Sequence, residues 1–185
     1  MTERTAAIDA REVQRLRSET GAGVMDCKRA LEETGGDFEK AREILRQKGL
    51  AAAAKRADRE ALQGVVESYI HGGGRIGALV ELSSETDFVA ATAEFRELAK
   101  NIAMQVAAMS PIVVSEDELT PEARTELLKE HGGEKKALEA AVLLKQPYIR
   151  DQSKTVADLV TAIAASTGEN VRVRRFARFQ LGSQS

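Results

Sequence analysis

Apolar residues recur at helical spacing three times within the first fifty positions. Ile8, Val13 and Leu16 share one face behind Asp9, and Glu12 follows Asp9 at the spacing of a capping box. Thr20-Gly21-Ala22-Gly23 breaks the period. A second face then runs through Val24, Cys27, Ala30 and Leu31 to Gly35-Gly36. Asp37 heads a third helix in which Phe38, Ala41, Ile44 and Leu45 recur, with Gly49 as its stop. Three helices in so short a span make a bundle with little stability to spare. Residues 50–62, LAAAAKRADREAL, have no apolar face and mark a linker, helical or flexible, at a domain boundary.

Beyond the linker the period changes to two. Val65–Ile70 reads as one strand, and Ile76, Ala78, Val80 and Leu82 alternate in a second. His71-Gly72-Gly73-Gly74 between them makes a hairpin. A helical stripe follows through Phe95, Leu98, Ile102, Val106 and Met109, and Ser110-Pro111 ends it. Ile112–Val114 reads as a brief strand. Ser115 with Glu118 forms another capping box, and Thr120 caps a helix that opens on Pro121. Residues 121–146 give two helices broken at Gly132-Gly133, and 147–152 are irregular. Ser153 caps a helix to about Ala165, and the chain closes with a strand, Val171–Leu181. At strict alternation one face of that strand holds Val171, Val173, Ala177, Phe179 and Leu181. The other holds Arg172, Arg174, Phe176, Arg178 and Gln180, while Arg175 signals a bulge or an edge. The predicted fold is α+β. A small three-helix domain spans 1–50, a linker 51–62, and an α+β core with a small antiparallel sheet 63–185. Two or three strands cannot close, so an edge stays open.

Composition narrows the function. The net charge of −2 over 185 residues argues against a general phosphate-backbone binder. A single cysteine, Cys27, excludes an intrachain disulfide and fits a reducing compartment. The N-terminus has no apolar signal region, and no apolar run approaches the ~18 residues of a membrane helix, so a cytoplasmic location is expected. There is no Walker loop. The glycine run at 72–74 joins strand to strand, whereas a phosphate cradle needs a helix N-terminus. His71 and His131, the two histidines, lie in predicted turns without metal-ligand spacing or a nucleophile signature. Cys27 falls on an apolar face, as an inert thiol. Neither catalysis, nor a metal, nor a cofactor is expected.

Three stretches carry more than one reading. The Arg/Phe face of the last strand is either a solvated side or an RNA-stacking platform. Val24 and Met25 either finish the small core or form an exposed apolar knob after the glycine loop. In Ser83-Ser-Glu-Thr-Asp-Phe-Val-Ala-Ala-Thr92, either Thr86 or Asp87 caps a helix whose first core residues are Phe88 and Val89, or Phe88 stands out at the strand-to-helix junction.

The segment VQRLRSETGAGVMDCKRALEETGGDFEKAREILRQKG resembles the start of the elongation factor Ts family, whose core pattern RxxTGAGxMDCKxAL it carries. HGGGRIGALVEL, ETDFVA and the basic-apolar C-terminal strand follow in the family's order, so the resemblance covers nearly the whole chain. It implies a guanine nucleotide exchange factor for elongation factor Tu, not an enzyme, that meets its partner in the GDP-bound and nucleotide-free states. It also implies that the three-helix unit is of the ubiquitin-associated type and docks on the partner's GTPase domain. Leu16, Arg17, Val24 and Met25 then form the docking surface, although the family commonly has methionine where Val24 stands. Thr86, Asp87 and Phe88 match the family's Thr-Asp-Phe motif, whose phenylalanine wedges between partner helices near the nucleotide phosphates and magnesium. Asp87 either disturbs the magnesium site or only caps its own helix. Long members carry two core halves with an inserted coiled coil. This chain has one hairpin, one Thr-Asp-Phe and one closing strand, which implies a homodimer with open sheet edges meeting across a two-fold axis. Residues 121–150 fit the family least. A small RNA-binding protein and a ubiquitin-fold recognition module on a dimeric scaffold are the competing classes; neither a membrane nor a nucleic acid is expected as partner.

Overall fold

The computed structural model describes residues 8–183; residues 1–7 and 184–185, the outer ends of the first and last predicted domains, lie outside the described residues. The chain forms two compact units. One comprises the chain up to Arg59 together with Thr161–Asn170, the other Glu60–Val160 together with the chain from Val171 onward.

In the first unit, α1 (Ala10–Thr20), α2 (Val24–Glu33) and α3 (Phe38–Ala54) follow the apolar periods. Asp9 and Asp37 cap α1 and α3 by accepting from the N–H groups of Arg11 and Lys40. α1 ends at Gly21, which is left-handed with φ 68°. A Cβ there would stand 2.6 Å from the Ala162 carbonyl oxygen, so the motif glycine serves both conformation and close approach. Val13, Leu16, Cys27, Ala30, Leu31, Ala41 and Leu45 form the core. Gly49 does not stop α3 as expected. The alanines that follow are strong helix formers and carry it to Ala54, while the bare Cα of Gly49 makes room for the Thr161 methyl group. Asn170 donates to the carbonyls of Ala57 and Arg59 at 3.2 and 2.8 Å, fastening the chain that returns from residue 161.

The second unit begins with β1 (Gln63–His71) and β2 (Ile76–Ser84), joined by the Gly72–Gly74 turn. A four-residue helix α4 (Asp87–Ala90) and a long helix α5 (Ala93–Met109) follow. Then come α6 (Pro121–His131), α7 (Glu134–Ala141), β3 (Pro147–Tyr148), β4 (Asp151–Thr155), α8 (Val156–Thr167) and β5 (Arg172–Gln180); the division between the units falls inside α8. The main sheet is antiparallel in the order β1-β2-β5, and β3-β4 form a separate hairpin. The fold is therefore α+β. α5 packs on all three strands of the main sheet with Phe95, Leu98, Ile102 and Val106 buried, against Val80, Leu82 and Val173. Gly64 has φ 148°, and a Cβ on it would meet the Leu82 carbonyl at 2.1 Å, so β1 can lie this close to β2 only with glycine there.

Local expectations between 110 and 160 need correction. Ile112–Val114 make one parallel bridge, Val113 to Val142, because the capping box of Ser115 and Glu118 bends the chain away at once. The stretch expected to be irregular, 147–152, forms most of the β3-β4 hairpin. Ser153 lies within β4, where its hydroxyl bonds Asp151. The true cap of α8 is Thr155. Its Oγ1 accepts from the Asp158 N–H at 3.2 Å while Asp158 accepts from the Thr155 N–H at 2.8 Å. That reciprocal Thr-x-x-Asp pair was present in the sequence and outcompetes the lone serine.

The last strand holds the largest correction. Glu81 pairs with Arg175 but Leu82 pairs with Val173, so Arg174 is an extra residue. A bulge of one residue reverses the facing of everything beyond it. Phe176 and Arg178 thereby sit opposite Val80 and Ala78 on the α5 side, while Ala177 and Phe179 sit opposite Leu79 and Gly77 on the outer side. Arg178 uses its place: its Nε donates at 3.1 Å to the carbonyl of Ala107, among the orphan carbonyls ending α5.

Candidate functional site

Phe88 sits where β2 hands over to the helices. The end of β2 is anchored by Ser83 and Ser84, both buried. Thr86 is the N-cap of α4, its Oγ1 accepting from the Val89 N–H at 3.4 Å. Thr92 then caps α5 by accepting from the Phe95 N–H at 3.3 Å. Two start signals six residues apart divide the junction into a single turn and a long helix. Ala90 is buried and seats the turn; Val89 is half-buried. Phe88 points away and is 82% exposed. Asp87 is not the cap and is exposed at the first position of the turn. The turn thus presents a carboxylate and an aromatic ring side by side to solvent.

In the first unit, the expected docking residues divide. Leu16 is fully buried in the three-helix core, so the reading of its side chain as surface is corrected: it supports the surface from beneath. Arg17 is exposed. Val24 and Met25 open α2 and are 47% and 63% exposed, because the inward row of that helix is Cys27, Ala30 and Leu31. The reading of an apolar knob after the glycine loop matches this geometry better than completion of the core. Burial pushes the Cys27 thiol above its ordinary value, as suits an inert core group.

A second exposed apolar surface was missed. On the outer face of the main sheet, Val66, Ile70, Leu79, Phe179 and Leu181 are all exposed, and Ile70, Leu79, Phe179 and Leu181 line a shallow groove. The bulge at Arg174 creates this face by turning Phe179 outward. The signal was the doubled Arg174-Arg175, which interrupts the alternation. The same bulge dismantles the proposed Arg/Phe platform: Phe176 and Arg178 turn towards α5, and Arg174 and Arg175 pair with Glu81 at 3.6 and 2.7 Å. His71 ends β1, its Nδ1 3.3 Å from the Tyr69 hydroxyl, and His131 ends α6. Among the described residues no helix is long and apolar enough to cross a membrane.

Comparison with known proteins points to one family over nearly the whole chain. A family model described as Elongation factor TS matches residues 39–131, which include Thr86, Asp87 and Phe88. An Elongation factor Ts of Carboxydothermus hydrogenoformans is 51% identical over 194 residues, covering 95% of this chain and 89% of that protein. One from Desulforamulus reducens is 52% identical over 196 residues, covering 96% of this chain and 90% of the relative. A longer one from Synechococcus sp. is 50% identical over 196 residues, of which 95% of this chain and 70% of the relative take part. Such identity over nearly the full length, on a chain whose motif segment stands exposed on a capped turn, leaves one assignment: the chain belongs to the elongation factor Ts family.

Proposed function

We propose that the chain is a guanine nucleotide exchange factor for elongation factor Tu and promotes GDP release during translation elongation in the cytoplasm. The observation that carries the wedge reading is the 82% exposure of Phe88 on a turn whose backbone is capped. A large aromatic ring kept in water by a fixed turn gains from entering an apolar slot on another protein. No covalent chemistry is needed. A factor that binds the empty partner more tightly than the nucleotide-bound one weakens nucleotide binding by the same factor.

The magnitudes require more than one contact. A ~10³-fold weakening needs a coupling of about 4 kcal/mol. Burying one phenylalanine side chain yields roughly 1.5–3 kcal/mol, part of which is consumed in parting the partner's helices. Arg17, Val24 and Met25, supported by Leu16 beneath, supply the second contact, and holding both on one chain raises their effective concentration. Asp87, free of a capping duty, acts beside the ring by disturbing the hydrogen bonds that order the partner's magnesium site.

The working form in this reading is a homodimer. The three-stranded sheet leaves its edges open, but its exposed apolar residues lie on the outer face, so the two-fold contact is face to face rather than edge to edge. One core per chain, where long members of the family carry two, supports a second copy as the occupant.

The test is release of labelled GDP from elongation factor Tu. The wild-type chain is expected to accelerate it, and Phe88→Ala to lose most of the acceleration at saturating concentration. Equal rates for the two proteins would remove the wedge; no acceleration by the wild type would remove the exchange reading altogether.

A further inference from the structure

Phe88 rides on a helix too short to hold itself. α4 is a single turn, Asp87–Ala90, and an isolated turn fixes more backbone than its hydrogen bonds compensate. Two hydroxyls outside the Thr-Asp-Phe motif secure it at both ends. Ser84, fully buried at the end of β2, donates to the Thr86 carbonyl at 2.9 Å. Thr92 donates to the Val89 carbonyl at 2.8 Å and in the same pose accepts from the Phe95 N–H. Ser84 therefore ties the entry of the turn to the sheet, and Thr92 ties its exit to the 17-residue α5. The sealed Ser84 side chain cannot itself touch a partner.

We propose that Ser84 and Thr92 are positioning residues for nucleotide exchange: their hydroxyls hold the α4 turn so that Phe88 enters the partner already ordered. This rests on the wedge reading above. A side chain on a loose turn must lose backbone freedom as it inserts, and that loss is subtracted from the stabilisation of the inserted state. A preorganised turn bears this cost during folding instead. The consequence falls on the maximal exchange rate, because affinity for the nucleotide-bound partner draws also on the separate surface at Arg17, Val24 and Met25.

The experiment measures GDP release from elongation factor Tu against concentration of the full chain, with thermal unfolding of every variant followed in parallel and rates taken well below each midpoint. Ser84→Ala and Thr92→Val each delete one hydroxyl; Thr92→Ser keeps it. The expected result for each deletion is a maximal rate lowered about threefold to tenfold, the worth of one net hydrogen bond, with the half-saturating concentration unchanged. Thr92→Ser is expected to restore the rate. If Phe88→Ala is slow while both deletions run at the wild-type maximum, this inference fails and the wedge survives. If Phe88→Ala itself is unimpaired, the wedge fails and takes this inference with it. A loss seen only in half-saturation, or a Thr92→Ser variant as slow as Thr92→Val, also overturns it. Should Thr92→Val not fold, Ser84→Ala decides alone.

Discussion

Phe88 and Phe95 are seven residues apart and opposite in environment, one 82% exposed and the other fully buried. Their roles in stability should differ accordingly. Phe88→Ala is expected to shift unfolding by less than about 0.5 kcal/mol, as exposed substitutions do, and a urea titration checks it. Phe95→Ala empties a core position and should cost about 3–5 kcal/mol by the same titration. Glu43 gives a residue-scale test of a different kind. Bidentate hydrogen bonds from Arg46 and a further bond from Gln47 hold its carboxyl well below the ordinary value of 4.5, down to about 2. Its folded-state pKa is depressed, so its contribution is present above pH 4.5 and is lost as pH falls towards 2. The pair is solvated, so the contribution is small. A carbon-13 NMR titration should place the Glu43 midpoint near 2, and Arg46→Met should move it up. At this scale the sequence was legible where spacing decides burial, as for Val13 and Cys27. It was ambiguous for Phe88 and Met25, because a residue at a helix start can face either way until the neighbouring elements are placed.

Among the elements, the joint between α5 and the β3-β4 region depends on one buried pair. Gln105 donates from its amide nitrogen to Gln146 and to the Pro147 carbonyl, both at 3.1 Å, and accepts from the Ile149 N–H at 3.0 Å. Gln146 passes the chain on to the Ala140 carbonyl at 3.1 Å. Gln105→Leu is close in size but leaves the buried Gln146 amide and the half-buried Pro147 carbonyl and Ile149 N–H without this partner. The expected loss is about 2–4 kcal/mol, read as a lower urea midpoint. Helix existence was readable from apolar period throughout this region, and the Thr120-Pro121 start came through unchanged. The buried glutamines carried no signal, since a Gln at an inward position is meaningful only once its distant partner is known. The start of α8 failed for a different reason: Ser153 and Thr155 both offered a cap, and only Thr155 has an acid three residues on to reciprocate.

On the scale of the whole molecule, a chain of net charge −2 with Val66, Ile70, Leu79, Phe179 and Leu181 open to water on one sheet face should self-associate through it. Phe179→Glu is expected to convert the proposed dimer to a monomer in sedimentation equilibrium without changing the helical circular dichroism. A wild-type chain that sediments as a monomer at micromolar concentration would instead remove the dimer from the proposed function. The fold class was legible in the change of period from 3.6 to two after the linker. The sheet's apolar exterior was not, because strict alternation assigned Phe179 to the same side as Val173, and one uncounted residue separates them. That residue also makes the exterior a question of odd and even. Excising Arg174 would only straighten β5, since Val173 would still face Leu82 and Phe179 would still face Gly77. Pulling Arg174 into the ladder instead would roll the tail over and hide the ring of Phe179, so this sociable face outlives a lost codon but not a slipped register.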